Sequence, residues 1–184
     1  MENDAANQRQ YLTFFLADEQ YAVGVLSVKE IIEYGIVTKV PTTPPYIRGV
    51  INLRGSVVPV VDLPVKFAFP ETPIGVGTYI VVVDLLWSGE SVRLGLLTSE
   101  LGRVIDVAPD DIKPVPDFGT RIQSEYLRGV GNIDGRFALF LDTDRLLSPA
   151  ELLRITALDD SQPVSDGSKR DVPTRGGSAR PAGR

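Results

Sequence analysis

The sequence predicts a mostly β protein with two SH3-like, five-stranded barrels side by side and a C-terminal helix covering an end or the seam. Short apolar runs separated by turn signals fill residues 11–142. The order of these runs repeats once along the chain. A sheet of about five short strands usually closes into a barrel, because closure hides its exposed edges. A single β-sandwich of about ten strands is the alternative.

The first half contains six apolar runs and two tight turns. Ala17-Asp18-Glu19 and Arg54-Gly55 separate runs that read as hairpins. Proline fixes φ and has no amide hydrogen, so PTTPPY reads as a rigid loop. For the same reason Pro59 predicts an edge strand or a bulged one. The predicted strands are 11–16, 20–25, 30–34, 37–41, 48–53 and 56–63.

The second half continues with five strands and the only predicted helix. TYIVVV reads as core on both faces, and Asp134-Gly135 is a strong tight-turn signal. The helix is predicted over residues 144–158, where Ser148 can cap it and Glu151 completes a capping box. The predicted strands are 78–85, 91–98, 101–107, 127–133 and 136–142.

Two segments of the chain align without gaps. RGVINLRGSVVPVVDLPVKF (48–67) and RGVGNIDGRFALFLDTDRLL (128–147) share six identical positions, against about one expected for unrelated segments. The repeat predicts a first barrel at about 10–68 and a second at about 78–147, with exchange of strands between them left open.

Charges differ between the two copies of the repeat. Arg54 aligns with Asp134, and Glu30 stands opposite in sign to Arg103. The turn glycine is present in both copies, which indicates that the backbone geometry of the turn requires it. The charge before it differs, which indicates that the charge is specific to each copy. These reversals predict that the halves present different faces, as in a two-sided adaptor.

Composition excludes several kinds of function. The chain has no histidine and no cysteine, which excludes Ser-His-Asp and Cys-His catalysis and histidine metal sites. Asp62, Asp84 and Asp142 each end an apolar strand without a partner base, which is typical of strand-terminating residues rather than of acid–base catalysis. No metal-ligand spacing is present, and we expect no cofactor.

Charge and hydropathy indicate where the chain works. The net charge of −5 opposes general nucleic-acid binding. No apolar run approaches the roughly 20 residues that span a bilayer, so we expect a cytoplasmic protein without direct membrane insertion. Residues 1–9 read as flexible. Residues 159–184 read as a disordered tail, and residues 161–184 carry five basic and two acidic side chains, a net of +3, leaving −8 for residues 1–160.

Several longer motifs resemble the CheW family of chemotaxis coupling proteins. They are FFLADEQYAVGVLSVKEIIEY (14–34), YIRGVINLRG (46–55), VPVVDL (58–63) and SEYLRGVGNIDGRFALFLDTDRLL (124–147). The resemblance makes residues 10–158 a CheW-like domain of two intertwined barrels. It implies a non-catalytic adaptor that joins the cytoplasmic tips of methyl-accepting chemoreceptors to the regulatory domain of the histidine kinase CheA. Such adaptors lie at receptor arrays beneath the inner membrane.

The resemblance also implies a receptor-binding surface in the groove between the barrels. Carried over by motif, this surface comprises Val28, Glu30, Gly49, Arg54 and Val104. The kinase-binding residues remain unknown. The resemblance leaves an alternative function, a scaffold in a non-flagellar chemosensory pathway that controls pili, development or second-messenger synthesis.

Two positions depart from the family pattern. Ser99 stands where the family usually has an aspartate, and Pro64 follows VVDL in place of the usual arginine. Neither lies among the five predicted receptor-binding residues.

Overall fold

The computed structural model describes residues 9–116 and 122–159, which form ten strands and two helices. The strands are β1 Gln10–Leu16, β2 Glu19–Gly24, β3 Val28–Glu33, β4 Ile47–Leu53, β5 Ser56–Val61, β6 Tyr79–Trp87, β7 Glu90–Thr98, β8 Glu100–Asp106, β9 Leu127–Ile133 and β10 Arg136–Leu141. The helices are α1 Leu63–Lys66 and α2 Pro149–Asp159. Neither helix is long and apolar enough to span a membrane. Apart from Arg9 and Asp159, the predicted flexible N-terminus (1–9) and basic tail (159–184) lie outside the described residues.

The strands form two five-stranded sheets, and each sheet combines both halves of the sequence. Sheet A has the order β8-β1-β2-β10-β9, and sheet B has the order β3-β6-β7-β5-β4. The hairpin that opens each half therefore pairs with the last three strands of the other half. The sheets do not correspond to residues 10–68 and 78–147, because the two repeats have exchanged their first hairpins.

Two parallel pairings connect the exchanged hairpins to their new sheets. β2 pairs in parallel with β10 over Gln20–Ala22, and β5 pairs in parallel with β7 at Val60 and Val61. The other pairings between described strands are antiparallel. The parallel pairings and the antiparallel pairings β1–β8 and β3–β6 join strands that are distant in sequence, and together they hold each exchanged hairpin in its new sheet.

Three buried clusters show that each sheet encloses a core and that a third core lies between them. The sheet A cluster includes Tyr11 and Phe140, and the sheet B cluster includes Val60. The seam cluster joins residues of both sheets to those of α2. A single sandwich would have one core between its sheets. The predicted mostly β fold of two five-stranded units is confirmed, and α2 covers the seam.

The central strand β6 is buried on both faces, as TYIVVV predicted. Ile80 and Val82 belong to the sheet B cluster, whereas Val81 and Val83 belong to the seam cluster. All four side chains are fully buried. A strand with cores on both sides has no polar face, so the usual alternation of apolar and polar residues is lost.

The two repeat turns have the same backbone geometry. Both central residues of each turn have positive φ, 53° and 88° in the first turn and 51° and 83° in the second. The Gly55 amide donates to the Asn52 Oδ1 at 2.9 Å, and the Gly135 amide donates to the Asn132 Oδ1 at 2.9 Å. Turn geometry therefore explains two of the six identities between the repeats.

Pro59 predicted an edge strand or a bulge, and the edge strand is wrong, while the register shift of this strand pair falls between Ile47 and Gly49 of β4. Strand β5 lies between β7 and β4 inside sheet B. Val50, opposite Pro59, directs both its amide and its carbonyl to Thr38, at 2.8 and 2.9 Å. Opposite residues of an antiparallel ladder alternate between hydrogen-bonded and non-bonded pairs. Val50 and Pro59 form a non-bonded pair, so Val50 needs no amide donor from Pro59. The parallel pairing with β7 begins one residue later, at Val60.

Two further predicted elements differ from the structure. Residues 37–41 form no strand, and only Thr38 makes an isolated bridge to β4. The helix begins at Pro149 rather than at 144, because Ser148 caps it. The Glu151 amide donates to the Ser148 Oγ at 3.3 Å, and the Ser148 amide donates to the Glu151 Oε2 at 2.7 Å. This is the capping box that the sequence indicated.

The substitution Val60→Asp is expected to unfold the protein. It places a carboxylate at a fully buried position of the sheet B core without a partner, which costs about 4 kcal/mol or more. The matched control is Val76→Asp, because Val76 is fully exposed. Thermal denaturation followed by circular dichroism compares the two variants. A wild-type melting curve for Val60→Asp contradicts this assignment of the core.

Candidate functional site

The structure places four of the five predicted binding residues in sheet B and one in sheet A. Val28 and Glu30 lie on β3, Gly49 lies on β4, and Arg54 lies in the turn between β4 and β5. Val104 lies on β8 of sheet A. The site is therefore assembled from both sheets, if it includes all five residues.

Arg54 lies at an exposed rim, where it pairs with Glu30. The distance from the Arg54 Nη2 to the Glu30 Oε1 is 3.4 Å. The Arg54 side chain is 82% exposed, and that of Glu30 is 30% exposed. β3 and β4 are the two outermost strands of sheet B, so this ion pair brings the two edges of the sheet together. The exposed guanidinium keeps donors free for a further carboxylate or carbonyl.

Sheet A carries the same ion pair with its charges reversed. Arg103 on the edge strand β8 donates to Asp134 in the turn between β9 and β10. Each charge reversal between the repeats is thus compensated within one sheet. Exposed ion pairs of this kind contribute about 0–1 kcal/mol to stability. Their larger consequence is that one turn presents a cation and the equivalent turn presents an anion.

Val28 and Val104 both project on the seam side of their sheets. Val28 is paired with Val83 and Val104 with Leu12, and both of these partners belong to the seam cluster. Directly opposite residues in a ladder place their side chains on the same face. Val28 is partly buried against the seam cluster, whereas Val104 is 53% exposed. Val104 therefore offers apolar surface at the rim of the seam.

Gly49 is a structural residue that offers no side chain to a partner. It is buried at φ +148°, and a Cβ atom there would lie 2.3 Å from the carbonyl oxygen of Thr38. The repeat equivalent Gly129 is equally close to Lys113, at 2.4 Å. Glycine at these positions lets a neighbouring segment bridge to β4 and β9.

A buried cluster beside the seam was not predicted from the sequence. The Lys66 Nζ donates to the Glu151 Oε1 at 2.6 Å, and the Tyr46 hydroxyl donates to the same oxygen at 2.5 Å. The Lys66 side chain is only 6% exposed and lies over the rings of Tyr46 and Tyr126, at 4.7 and 5.4 Å from their centroids. The capping box identified Glu151, but Lys66 is 85 residues away and no local pattern connects the two.

These contacts shift the pKa values of the cluster. Burial acts to raise the pKa of Glu151, but hydrogen bonds from Lys66, Tyr46 and Ser148 outweigh it and lower the pKa to about 2. Burial, together with the hydrogen bond to Glu151, raises the pKa of the Tyr46 hydroxyl. Glu151 therefore remains ionised in the folded protein at neutral pH and anchors α2 to α1 and β4.

The three strand-ending aspartates have structural partners. Asp62 is fully buried and accepts from the Thr72 amide at 3.0 Å and from its hydroxyl at 2.8 Å. Asp84 lies between two cations, and Asp142 accepts from a backbone amide in the 3₁₀ turn that follows it. Within residues 9–116 and 122–159, no group of three or more acidic side chains is arranged to hold a metal ion.

Comparison with known proteins agrees with this architecture. The family model described as "CheW-like domain" matches residues 10–151. The chain belongs to the CheW family. Chemotaxis protein CheW of Klebsiella aerogenes is 35% identical over 144 residues, covering 78% of this chain and 84% of the relative. The same-named protein of Treponema pallidum is 30% identical over 151 residues, covering 82% and 89%.

A solved CheW structure has the same fold. The scaffolding protein TtCheW from Thermoanaerobacter tengcongensis matches with a TM-score of 0.70 and 27% identity, covering 78% of this chain and 90% of that protein. CheW proteins are non-catalytic chemotaxis scaffolds, so the predicted family and the prediction of a non-enzymatic protein are confirmed. The binding residues carried over from the family remain predictions.

Replacing Gly49 by alanine is expected to destabilise the fold by roughly 2 kcal/mol or more, because the new methyl group overlaps the backbone of Thr38. Gly24→Ala is the matched control. Gly24 has φ −59°, and a Cβ atom there meets no atom within 4 Å. Urea denaturation measures both variants. Equal midpoints for the two would show that the glycine at position 49 is not required by packing.

The stabilisation from Glu151 is expected to depend on pH. Its folded-state pKa of about 2 lies below the ordinary value of 4.5, so its contribution is complete above pH 4.5 and is lost as the pH falls from 4.5 towards 2. Glu151→Gln should therefore lower the melting temperature at pH 7 and have a smaller effect at pH 3. Comparing the melting temperatures of Glu151→Gln and wild type at the same pH removes the contribution of the other carboxylates. A difference that does not change with pH contradicts this role.

Proposed function

We propose that this chain couples the cytoplasmic tips of chemoreceptors to the regulatory domain of the histidine kinase CheA. It would do so in the cytoplasm, at receptor arrays beneath the inner membrane. Membership of the CheW family supports the coupling role. The observation that carries the receptor-binding half of the proposal is the exposed Arg54–Glu30 rim, in the sheet whose Val28 packs against the seam.

Receptor tips are helical hairpins, and a helix can use two kinds of contact here, the apolar residues on the seam side and the ion pair at the edge of sheet B. Apolar side chains spaced at i, i+3 and i+4 on a helix can contact Val28 and Val104 on the seam side of the two sheets. Arg54 has donors that can form a charge-assisted hydrogen bond with a receptor carboxylate or carbonyl. Charged contacts at a rim set orientation and specificity more than affinity. Glu30 holds the guanidinium near the edge of the sheet before a partner binds.

The adaptor catalyses no reaction and instead contributes a coupling free energy between receptor binding and kinase binding. Binding a receptor and a kinase through separate surfaces lets a change in one contact alter the other. Each contact can be weak, since linked copies in an array raise the effective concentration of their partners. The family's kinase contact is largely apolar and joins barrels end to end, and we assign no residues to it.

A second candidate keeps the scaffold but changes the pathway. Protein FrzA of Myxococcus xanthus is 33% identical over 132 residues and covers 71% of this chain and 79% of the relative. It matches this chain without carrying the name CheW, so similarity to these proteins does not by itself fix the pathway. Affinity purification of the tagged chain from its own cells decides between these pathways, since the co-purified kinase and receptor identify the pathway.

Arg54→Glu is expected to weaken binding of a receptor-tip fragment by roughly tenfold, equivalent to about 1.4 kcal/mol. The change removes a donor and places a second carboxylate beside Glu30. The matched control is Arg136→Glu, which makes the same change at an exposed residue beside the equivalent turn of sheet A. Isothermal titration calorimetry measures both affinities, and thermal melting confirms that both variants fold. Unchanged affinity for folded Arg54→Glu refutes the assignment of the rim.

A further inference from the structure

Strands β5 and β7 diverge on the N-terminal side of their paired residues and leave a cleft between them. The two strands pair only at Val60 with Gly95 and Val61 with Leu96. Residues 90–94 of β7 pair with β6 on one side and have no strand on the other side among the described residues. The space beside them is a cleft of about 560 Å³, which is lined by Pro59, Asp84, Ser91, Arg93, Ile155 and Thr156, among others.

The backbone of β7 presents hydrogen-bonding groups to this cleft. β6 and β7 are joined by the two-residue turn at 88–89, whose residues have φ of 51° and 82°. The pair flanking such a turn is hydrogen-bonded, and bonded pairs then alternate along the ladder. Glu90, Val92 and Leu94 therefore bond to β6, whereas the amides and carbonyls of Ser91 and Arg93 point away from β6, into the cleft. An edge of this kind is a template for one more strand.

Among the described residues, sheet A has no unpaired strand edge of this length, although it has the same strand order. There β2 pairs with β10 from Gln20 to Ala22, and only Glu19 of β2 precedes the paired residues. β7 has nine residues and β2 has six, so the longer hairpin creates the free edge. The cleft is therefore a property of the β6–β7 hairpin and not of the repeat.

We propose that the basic C-terminal tail, residues 160–184, docks in this cleft as an added strand along β7. Helix α2 contributes Ile155 and Thr156 to the lining and ends at Asp159, so the tail leaves the described chain within four residues of the cleft. The 25 residues of the tail exceed the five or six of an ordinary strand, which spans about 17–20 Å. Residues 161–184 carry +3 and residues 1–160 carry −8, so electrostatic attraction favours the docked state.

The docked tail would lie beside the candidate binding rim. The cleft lining includes Ser56, which follows the Arg54–Gly55 turn directly. The tail lies beyond residues 10–151, the part that matches the CheW-like domain. The docking is therefore a feature added to the family scaffold, and it does not depend on the proposed function.

Hydrogen exchange tests the added strand. Deletion of residues 160–184 should raise amide exchange in the peptide covering residues 88–95 by about tenfold or more, because Ser91 and Arg93 lose their partners. Adding a synthetic peptide of residues 160–184 to the truncated protein should restore protection. The peptide covering β2 is the internal control and should not change. Equal exchange of residues 88–95 in the full and truncated chains overturns the proposal.

Cysteine pairs test the same contact by distance, since the natural chain contains no cysteine. Neighbouring strands bring Cα atoms within about 4.5–5.5 Å, inside the range that a disulfide spans. Ser91→Cys is combined in turn with cysteine at Ser161, Ser165, Ser168 or Ser178 and oxidised with glutathione disulfide. At least one pair should cross-link tenfold faster than every pair made with Ser124→Cys, an exposed position before β9. Equal rates for the two sets would overturn docking along β7.

Discussion

The pairings that bind each opening hairpin into the opposite sheet, one parallel and one antiparallel for each hairpin, are the constraint on which the rest of the fold depends. Because of this exchange, neither half of the chain has a complete sheet of its own. The exchanged strands have cores on both faces, and Phe14, Val81 and Leu96 are fully buried in the seam. Sequence-distant strand pairings are entropically costly to form, and the apolar area buried in the seam offsets this cost.

The same exchange sets the chemical asymmetry of the molecule. Each sheet closes with one exposed ion pair between an edge strand and a turn, but the signs are opposite, Glu30 with Arg54 and Arg103 with Asp134. Such pairs contribute little to stability, so selection for stability alone does not require the reversal. The reversal gives two barrels of one architecture different charges at equivalent turns.

The helix α2 links this architecture to the end of the chain. Glu151 caps its own helix and also accepts hydrogen bonds from Lys66 and Tyr46, which lie on α1 and just before β4. Because removing one partner of a buried ion pair leaves an uncompensated charge, the contact of Lys66 with Glu151 fixes the position of the helix across the seam. Two residues of the same helix, Ile155 and Thr156, line the cleft beside the free edge of β7.

Much of the fold could be predicted from the sequence because its determinants are local. Alternating apolar runs, the turn pairs at 54–55 and 134–135 and the capping box at Ser148 act within a few residues, and the repeat showed that the unit occurs twice. The errors also have local causes. Pro59 suggested an edge, but its missing donor falls where none is needed, and the pattern at 37–41 indicated a strand where only Thr38 pairs.

The sequence by itself determined the mostly β class, the two-fold repeat, the turn geometry and the family, and it predicted the residues of the candidate rim. Only the tertiary structure decided which strands share a sheet, that Arg54 pairs with Glu30, that Gly49 is required by packing, and that Lys66 meets Glu151 across 85 residues. The physical reason is that strand exchange and side-chain contacts depend on which buried faces meet. Each strand of a repeat has nearly the same local pattern of apolar residues whichever strand it pairs with, so that pattern does not identify the partner.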